Sequence, residues 1–236
     1  KFIFTFSLVC FCPAIWAQSP SKGWTINFKE DSFSTNAMLD LSHLNEETAG
    51  QNGFIKQSPD GEGFVKGNGD PIRFWATGGG EVFEGAAYEY YAKFLAKRGV
   101  NMTRFHGDIV SVSDDINQPN QKELDRIWRM VATMKDQGIY ATISPYWAGH
   151  SPELNPSWGL GDYQGDVSPW GLLFFNDKFK NAYKNWVEEL FTRENPYTGV
   201  PLKDDPAVAM IQVQNEDGLF FWTIQNVKPS LQKTIN

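Results

Sequence analysis

Apolar residues recur along this chain at two spacings, and the spacing switches repeatedly. In AAYEYYAKFLAKRG, Tyr88, Tyr91, Ala92 and Leu95 fall three or four apart, which lines one side of a helix that stops at Gly99. The next run, VNMTRFHGD, predicts a strand from Val100 to about His106. QKELDRIWRMVATMKDQG returns to helical spacing through Leu124, Ile127, Trp128 and Val131 and ends at Gly138. IYATISPYW reads as another strand. A loop rich in Gly, Pro and Trp, Ala148 to Phe175, interrupts the rhythm. KFKNAYKNWVEELF then predicts a helix through Phe179, Tyr183, Trp186, Val187 and Leu190, and AVAMIQVQ a further strand. Upstream, GFVKGNGDPIRFWATGG predicts a hairpin: Phe64–Lys66, a turn on Gly67 to Asp70, then Ile72–Ala76.

Strand and helix in strict alternation define an α/β class with a parallel sheet. The strands are apolar without clean alternation, as strands covered on both faces are. No Gly-x-Gly-x-x-Gly follows the first strand, so the dinucleotide fingerprint is missing. GGGEVFEGA is Gly-rich but has no Lys or Ser/Thr at phosphate-loop positions. The pattern therefore predicts a (β/α)8 TIM barrel of which about the first four βα units are present. Residues 18–62, polar and rich in Gly, Ser and Asn, read as a short β-rich N-terminal extension with strand-like pieces at Trp24–Phe28 and Ala37–Leu41.

The first seventeen residues, KFIFTFSLVCFCPAIWA, have a basic start, a short apolar run and a small residue at Ala17, which predicts a secretory signal peptide. The run is too short to span a bilayer as a stable helix. Both cysteines, Cys10 and Cys12, lie inside it, so the mature chain is expected to carry no disulfide. The reading is a secreted or periplasmic protein with no membrane partner after cleavage. A net charge of −7 without a Lys/Arg cluster argues against a nucleic-acid partner. Nine Trp and eight Tyr suit a neutral partner with flat apolar faces, such as a sugar. Trp147, Trp158, Trp170 and Trp222 lie in or beside the predicted βα loops, where one or two of them are candidate sugar platforms.

In a barrel, chemistry sits at the carboxyl ends of the strands. The second strand ends with Arg104, His106 and Asp108, the third with Ser144, Tyr146 and Trp147, and the fourth with Asn215 and Glu216. A carboxyl group can supply the proton that a leaving glycosidic oxygen needs, and a neighbouring amide can hold a sugar hydroxyl. Arg104 can hold another carboxylate ionised. Asp108 and Asp217 read as loop or cap residues. His106, Asp108 and His150 lack a metal-ligand spacing, so no metal and no cofactor are expected.

DPAVAMIQVQNE resembles the fourth strand of clan A glycoside hydrolases, in which an Asn-Glu pair ends the strand with the Glu as acid/base. FVKGNGDPIRFWATG, GVNMTRFHGD and ENPYTGVPLKDDPAVAMIQVQNE resemble the cellulase and mannanase group of family 5 over roughly Gly63 to Trp222. The resemblance implies a retaining β-glycan hydrolase with Glu216 as general acid/base. Asn215, Arg104, His106, Tyr146 and Trp147 would line the site for an oligo- or polysaccharide. Many members carry a histidine near the end of strand three; this chain reads TISPYW, with Tyr146 standing there. Residues 63–236 would form the N-terminal half of the catalytic domain. A barrel takes about 250 residues, so the nucleophile, a second Glu ending strand seven, is expected beyond Asn236. The other readings are a non-catalytic sugar-binding barrel and a small α/β domain of unrelated function.

Overall fold

A computed structural model of the chain describes residues 29–78, 86–109, 114–149, 154–161 and 168–220, together with residues 225 and 229. Residues 1–32 and 33–236 form two compact units. Of the first, residues 29–32 are described and carry no regular secondary structure. The predicted signal peptide and the Trp24–Phe28 strand lie outside the described residues.

The second unit begins with a 3-10 turn at Ser42–Leu44 and three short strands, β1 (Lys56–Gln57), β2 (Phe64–Val65) and β3 (Pro71–Ile72). They pair antiparallel in that order. The predicted hairpin is β2–β3, closed where the Lys66 amide donates to the Asp70 carbonyl and the Gly69 amide to the Lys66 carbonyl, each at 2.9 Å. After it come β4 (Ala76–Gly78), α1 (Ala87–Ala96), β5 (Met102–His106), α2 (Gln121–Lys135) and β6 (Tyr140–Ser144). A short α3 (Leu172–Phe175), α4 (Asp177–Thr192) and β7 (Val208–Ile211) complete the series. Strands β4, β5, β6 and β7 form one parallel sheet in chain order, as the alternating pattern predicts.

Two expectations are corrected. The segment Ile72–Ala76 is not one strand: it divides between β3 and β4. Asn101 sits at the division, accepting from the Trp75 amide at 2.7 Å and donating to the Arg73 carbonyl at 2.8 Å. Ala37–Leu41 is turns, not a strand. Met38 and Leu39 are largely exposed there, and the Asp40 carboxylate accepts from the Ser42 amide at 3.0 Å, starting the 3-10 turn. A side chain that bonds its own backbone two residues on favours a turn over a ladder.

Each long helix after α1 starts on an asparagine. Asn120 accepts from the Glu123 amide at 3.2 Å and Asn176 from the Phe179 amide at 2.9 Å, so one orphan donor is satisfied at each start. Gly138 follows α2 with φ +68°, and a Cβ there would lie 1.9 Å from the Glu46 carbonyl oxygen. Only glycine fits both demands.

The helices pack on one face of the sheet, where Phe105, Ile143 and Val208 meet Leu95, Leu124, Trp128, Trp186 and Leu190. Among the described residues the other face is covered toward the amino ends of the strands, by Ala49, Ile55, Ile72 and Phe74 against Met102 and Tyr140. There Asn45 donates to the carbonyls of Val100 (2.8 Å) and Gln137 (3.3 Å), and the Tyr140 hydroxyl donates to the Glu46 carboxylate. Burial, reinforced by that bond, pushes the Tyr140 hydroxyl pKa up. Beyond this foot, toward the carboxyl ends, Arg104 stands exposed on the same face.

The indole of Trp186 on α4 donates to the Pro145 carbonyl at 2.7 Å, with both groups buried just past β6. Trp186→Phe strips that carbonyl of its partner and should cost about 1–3 kcal/mol in urea denaturation. A loss well below that range would mean the bond does not hold this strand end.

Candidate active site at the strand ends

Three strand ends build the site. At the end of β5, His106 and Asp108 are held from outside by α2. Arg126 donates to the His106 carbonyl at 2.6 Å, and Glu123 accepts from the Asp108 amide at 3.0 Å. Glu123 and Arg126 pair with each other at 2.6 Å, three residues apart and mostly buried. A matched pair shielded from water fixes backbone groups better than an exposed one. Arg104 and His106 share the face of the sheet that Met102 occupies lower down, because successive strand side chains alternate.

The end of β6 breaks that alternation. Regular pairing stops at Ser144 and resumes as a bridge between Trp147 and Asn215. A Cβ on Gly107 would lie 2.8 Å from the Pro145 carbonyl oxygen, so the β5 and β6 ends approach closely here. The irregular step moves Trp147 onto the open face, its ring centroid 4.9 Å from that of His106. It turns Tyr146 the other way. The Tyr146 side chain is wholly buried, edge-on to Phe179 and Tyr183 of α4, so what it presents to the site is its backbone carbonyl.

At the end of β7, Gln212 donates its amide to the Ile143 carbonyl (2.9 Å) and Asn215 to the Tyr146 carbonyl (3.0 Å), so the pairing continues irregularly past Ile211. Asn215 is buried, and its side-chain oxygen accepts from Gln212 Nε2 at 3.3 Å. Gln212 also meets Arg104 across β6, in a long contact of 3.5 Å. Asp217 is buried too, and both its oxygens take the Gly171 amide, at 3.2 and 3.3 Å. Between these two buried anchors Glu216 is exposed, with φ +49°. That left-handed conformation is strained for any residue with a Cβ and persists where the surroundings over-determine it. The polar end of this strand therefore has a mechanical reading: neighbours pinned inward and one carboxylate turned out.

The structure brings Arg104, His106, Trp147 and Asn215 to one end of one face, sets Glu216 exposed one residue beyond Asn215, and leaves the Tyr146 side chain in the helix-side core. It adds Gln212, which joins Arg104 to Asn215; its place two residues past Met210, on the strand's inward side, is the sequence signal for it. Asp217 carries more than a cap role, since it ties the β7 end to the start of α3. Trp158 is buried and Trp170 is partly buried against the core; Trp222 and His150 lie outside the described residues. Among the described residues no group of three or more His, Cys, Asp or Glu is placed to hold a metal ion, and no helix is long and apolar enough to cross a membrane.

No protein-family model matches the chain, and no curated protein does. Solved structures do. The chain is similar to the endo-1,4-β-mannanase from Rhizomucor miehei at 21% identity and a TM-score of 0.53, covering 69% of this chain and 48% of that one. It is also similar to a mutant of a glycoside hydrolase family 5 mannosidase from the same organism, at 18% identity and a TM-score of 0.51, covering 70% and 49%. A second mutant of a family 5 mannosidase from Rhizomucor miehei, in complex with mannosyl-fructose, matches at 16% identity and a TM-score of 0.50, covering 70% and 49%. These likenesses establish the fold, part of a (β/α) barrel of the kind that family 5 glycoside hydrolases have. The chain spans about half the length of the structures it matches.

Two outcomes test the geometry of the β7 end. Glycine relaxes a left-handed backbone but frees the unfolded chain. Glu216→Gly should therefore leave stability unchanged or raise it by up to about 1 kcal/mol; a clear loss in denaturant titration would contradict the strained display. Burial raises the Asp217 carboxyl from its ordinary 3.8 to about 6, partly opposed by the Gly171 amide. The folded state thus holds this proton more tightly than the unfolded one. The stability it contributes is full below pH 3.8 and is lost as pH rises through about 6. Asp217→Asn should flatten that step, so that the variant gains on the natural protein by roughly 2 kcal/mol above pH 7 and not at pH 3.5. Thermal melts across that range read it directly, and parallel curves would contradict it.

Proposed function

We propose that this chain carries the amino-terminal half of a secreted, retaining glycoside hydrolase of the family 5 kind, acting on a β-linked glycan of the mannan or cellulose type. The observation that carries the reading is Glu216: an exposed carboxyl on a strained turn at the carboxyl end of the fourth parallel strand, beside a buried Asn215. The barrel fold shared with a mannanase supports it, as does the sequence of motifs that ends in Gln-Asn-Glu.

In this reading Glu216 protonates the departing glycosidic oxygen and then, as its conjugate base, draws a proton from the water that completes hydrolysis. Asn215, oriented by Gln212, offers a carboxamide to a sugar hydroxyl near the reacting carbon. Arg104 supplies fixed positive charge on the same face. His106 and Trp147, their rings 4.9 Å apart and tilted by 45°, form an aromatic border against which a sugar can lie. Tyr146 serves through its carbonyl, which fixes the backbone of Asn215. The nucleophile that retention requires is assigned to a further strand, with its carboxyl about 5–5.5 Å from that of Glu216.

The test uses the complete natural chain. Glu216→Gln should lower kcat on unactivated β-glycans or aryl glycosides with poor leaving groups by about 100-fold or more. Loss on aryl glycosides with very good leaving groups should be far smaller in the cleavage step, because those groups leave without protonation. Equal losses on both sets would contradict the acid role. Binding of β-glycan with no turnover by the natural protein would instead identify a sugar-binding barrel.

A further inference from the structure

We infer that Asp217 is a positioning residue for the proton donor: through the Gly171 amide it locks the backbone following Glu216 to the start of α3. The inference deepens the glycosidase reading and rests on it.

Three observations carry it. First, Glu216 at φ +49° is unstable by itself, so something must hold both of its neighbours. The preceding neighbour is held by the Asn215 amide on the Tyr146 carbonyl and by the bridge to Trp147. Second, among the described residues the side chain of the following neighbour is attached through the carboxylate of Asp217 on the Gly171 amide. Its own carbonyl accepts from Gln214 Nε2 at 2.5 Å, which closes the turn over Glu216 from inside. Third, Asp217 is only 4% exposed, and among the described residues the Gly171 amide is what opposes the effect of burial on its carboxyl. A buried carboxylate that receives one backbone amide is costly, and an apolar residue of similar size would be the more stable choice there. The expense is explained if the acceptor is needed.

The attachment point is specific as well. Gly171 has φ +81° and immediately precedes α3, whose Leu172 and Leu173 are buried in the helix-side core. The Asp217 bond therefore anchors the donor turn to a rigid part of the core, not to another loop. With the bond present, Glu216 is clamped on both sides. Without it, the far side keeps the Gln214 bond, which lies within the turn itself, and loses its tie to α3, so the turn can shift while the fold stays intact.

Kinetics of the complete natural chain decide this. In Asp217→Ala, kcat/KM, which reports the cleavage step, should fall about 10- to 100-fold on glycosides with poor leaving groups, the scale of a misplacement near 1 Å. On aryl glycosides with good leaving groups the same variant should lose less than about threefold in kcat/KM, while kcat there falls with the base-assisted hydrolysis of the glycosyl-enzyme. Asp217→Asn keeps an acceptor oxygen for the Gly171 amide and should restore most of the lost rate. Should Asp217→Ala not fold, Asp217→Val refills the space without an acceptor and replaces it. Losses equal on both substrate sets, or Asp217→Asn as slow as Asp217→Ala, would overturn the positioning role while leaving the glycosidase reading in place. Absence of leaving-group dependence in Glu216→Gln, or of turnover in the natural protein, would overturn both.

Discussion

One backbone hydrogen bond, from the Asn215 amide to the Tyr146 carbonyl, organises the candidate-site end of this sheet. Regular pairing between β6 and β7 has already stopped when it forms, so it does not simply extend a ladder. It restarts contact after an irregular step in both strands, and every feature of the site follows from that restart. Asn215 is drawn inward beside Trp147, Trp147 meets His106 at a 45° tilt, and Glu216, one residue on, turns into the left-handed region. Asp217 then closes the turn from its far side. A flat, regular strand end would have pointed Glu216 by alternation alone; here it is pointed by two anchors.

The same dipeptide occurs a second time, and the contrast is instructive. Asn45-Glu46 lies at the opposite end of the sheet. There Asn45 bonds the Val100 and Gln137 carbonyls, while Glu46 accepts from Tyr140 and Asn52 and sits 4.0 Å from Lys66. Both side chains are absorbed in holding the foot of the sheet. At Asn215-Glu216 the carboxamide bonds Gln212 and Glu216 is exposed. Residue type is the same in the two places; what differs is the strand before it and the end of the sheet on which it falls.

That difference also marks how much the sequence alone could tell. Alternating strand and helix periods place β5, α2 and α4 within about two residues of where they lie and find β6 and β7, whose carboxyl ends they overrun by three residues, because each element buries an apolar face. Glycines after α1 and α2 mark their ends for a steric reason that any sequence displays. Glu216 and Asn215 are legible as a strand end. Less legible is anything that depends on parity after an irregular step. Tyr146 continues the inward series of Tyr140, Thr142 and Ser144 on paper, yet the break at Pro145 sends it to the helix side and Trp147 to the open face. The turn at Ala37–Leu41 escapes the apolar pattern because Asp40 captures its own backbone. The burial of Asp217 depends on Gly171, forty-six residues away, and no local pattern announces it.

The account stands on Glu216 as acid and base in a retaining double displacement. The most direct measurement takes the Glu216→Ala variant of the complete natural chain, an aryl β-mannoside or β-glucoside with a good leaving group, and added azide. With its base removed, the glycosyl-enzyme should accumulate, and azide, which needs no base to attack, should release it and raise turnover. The account predicts a glycosyl azide of β configuration, the configuration of the substrate. A product of α configuration, or turnover that azide does not change, would contradict it.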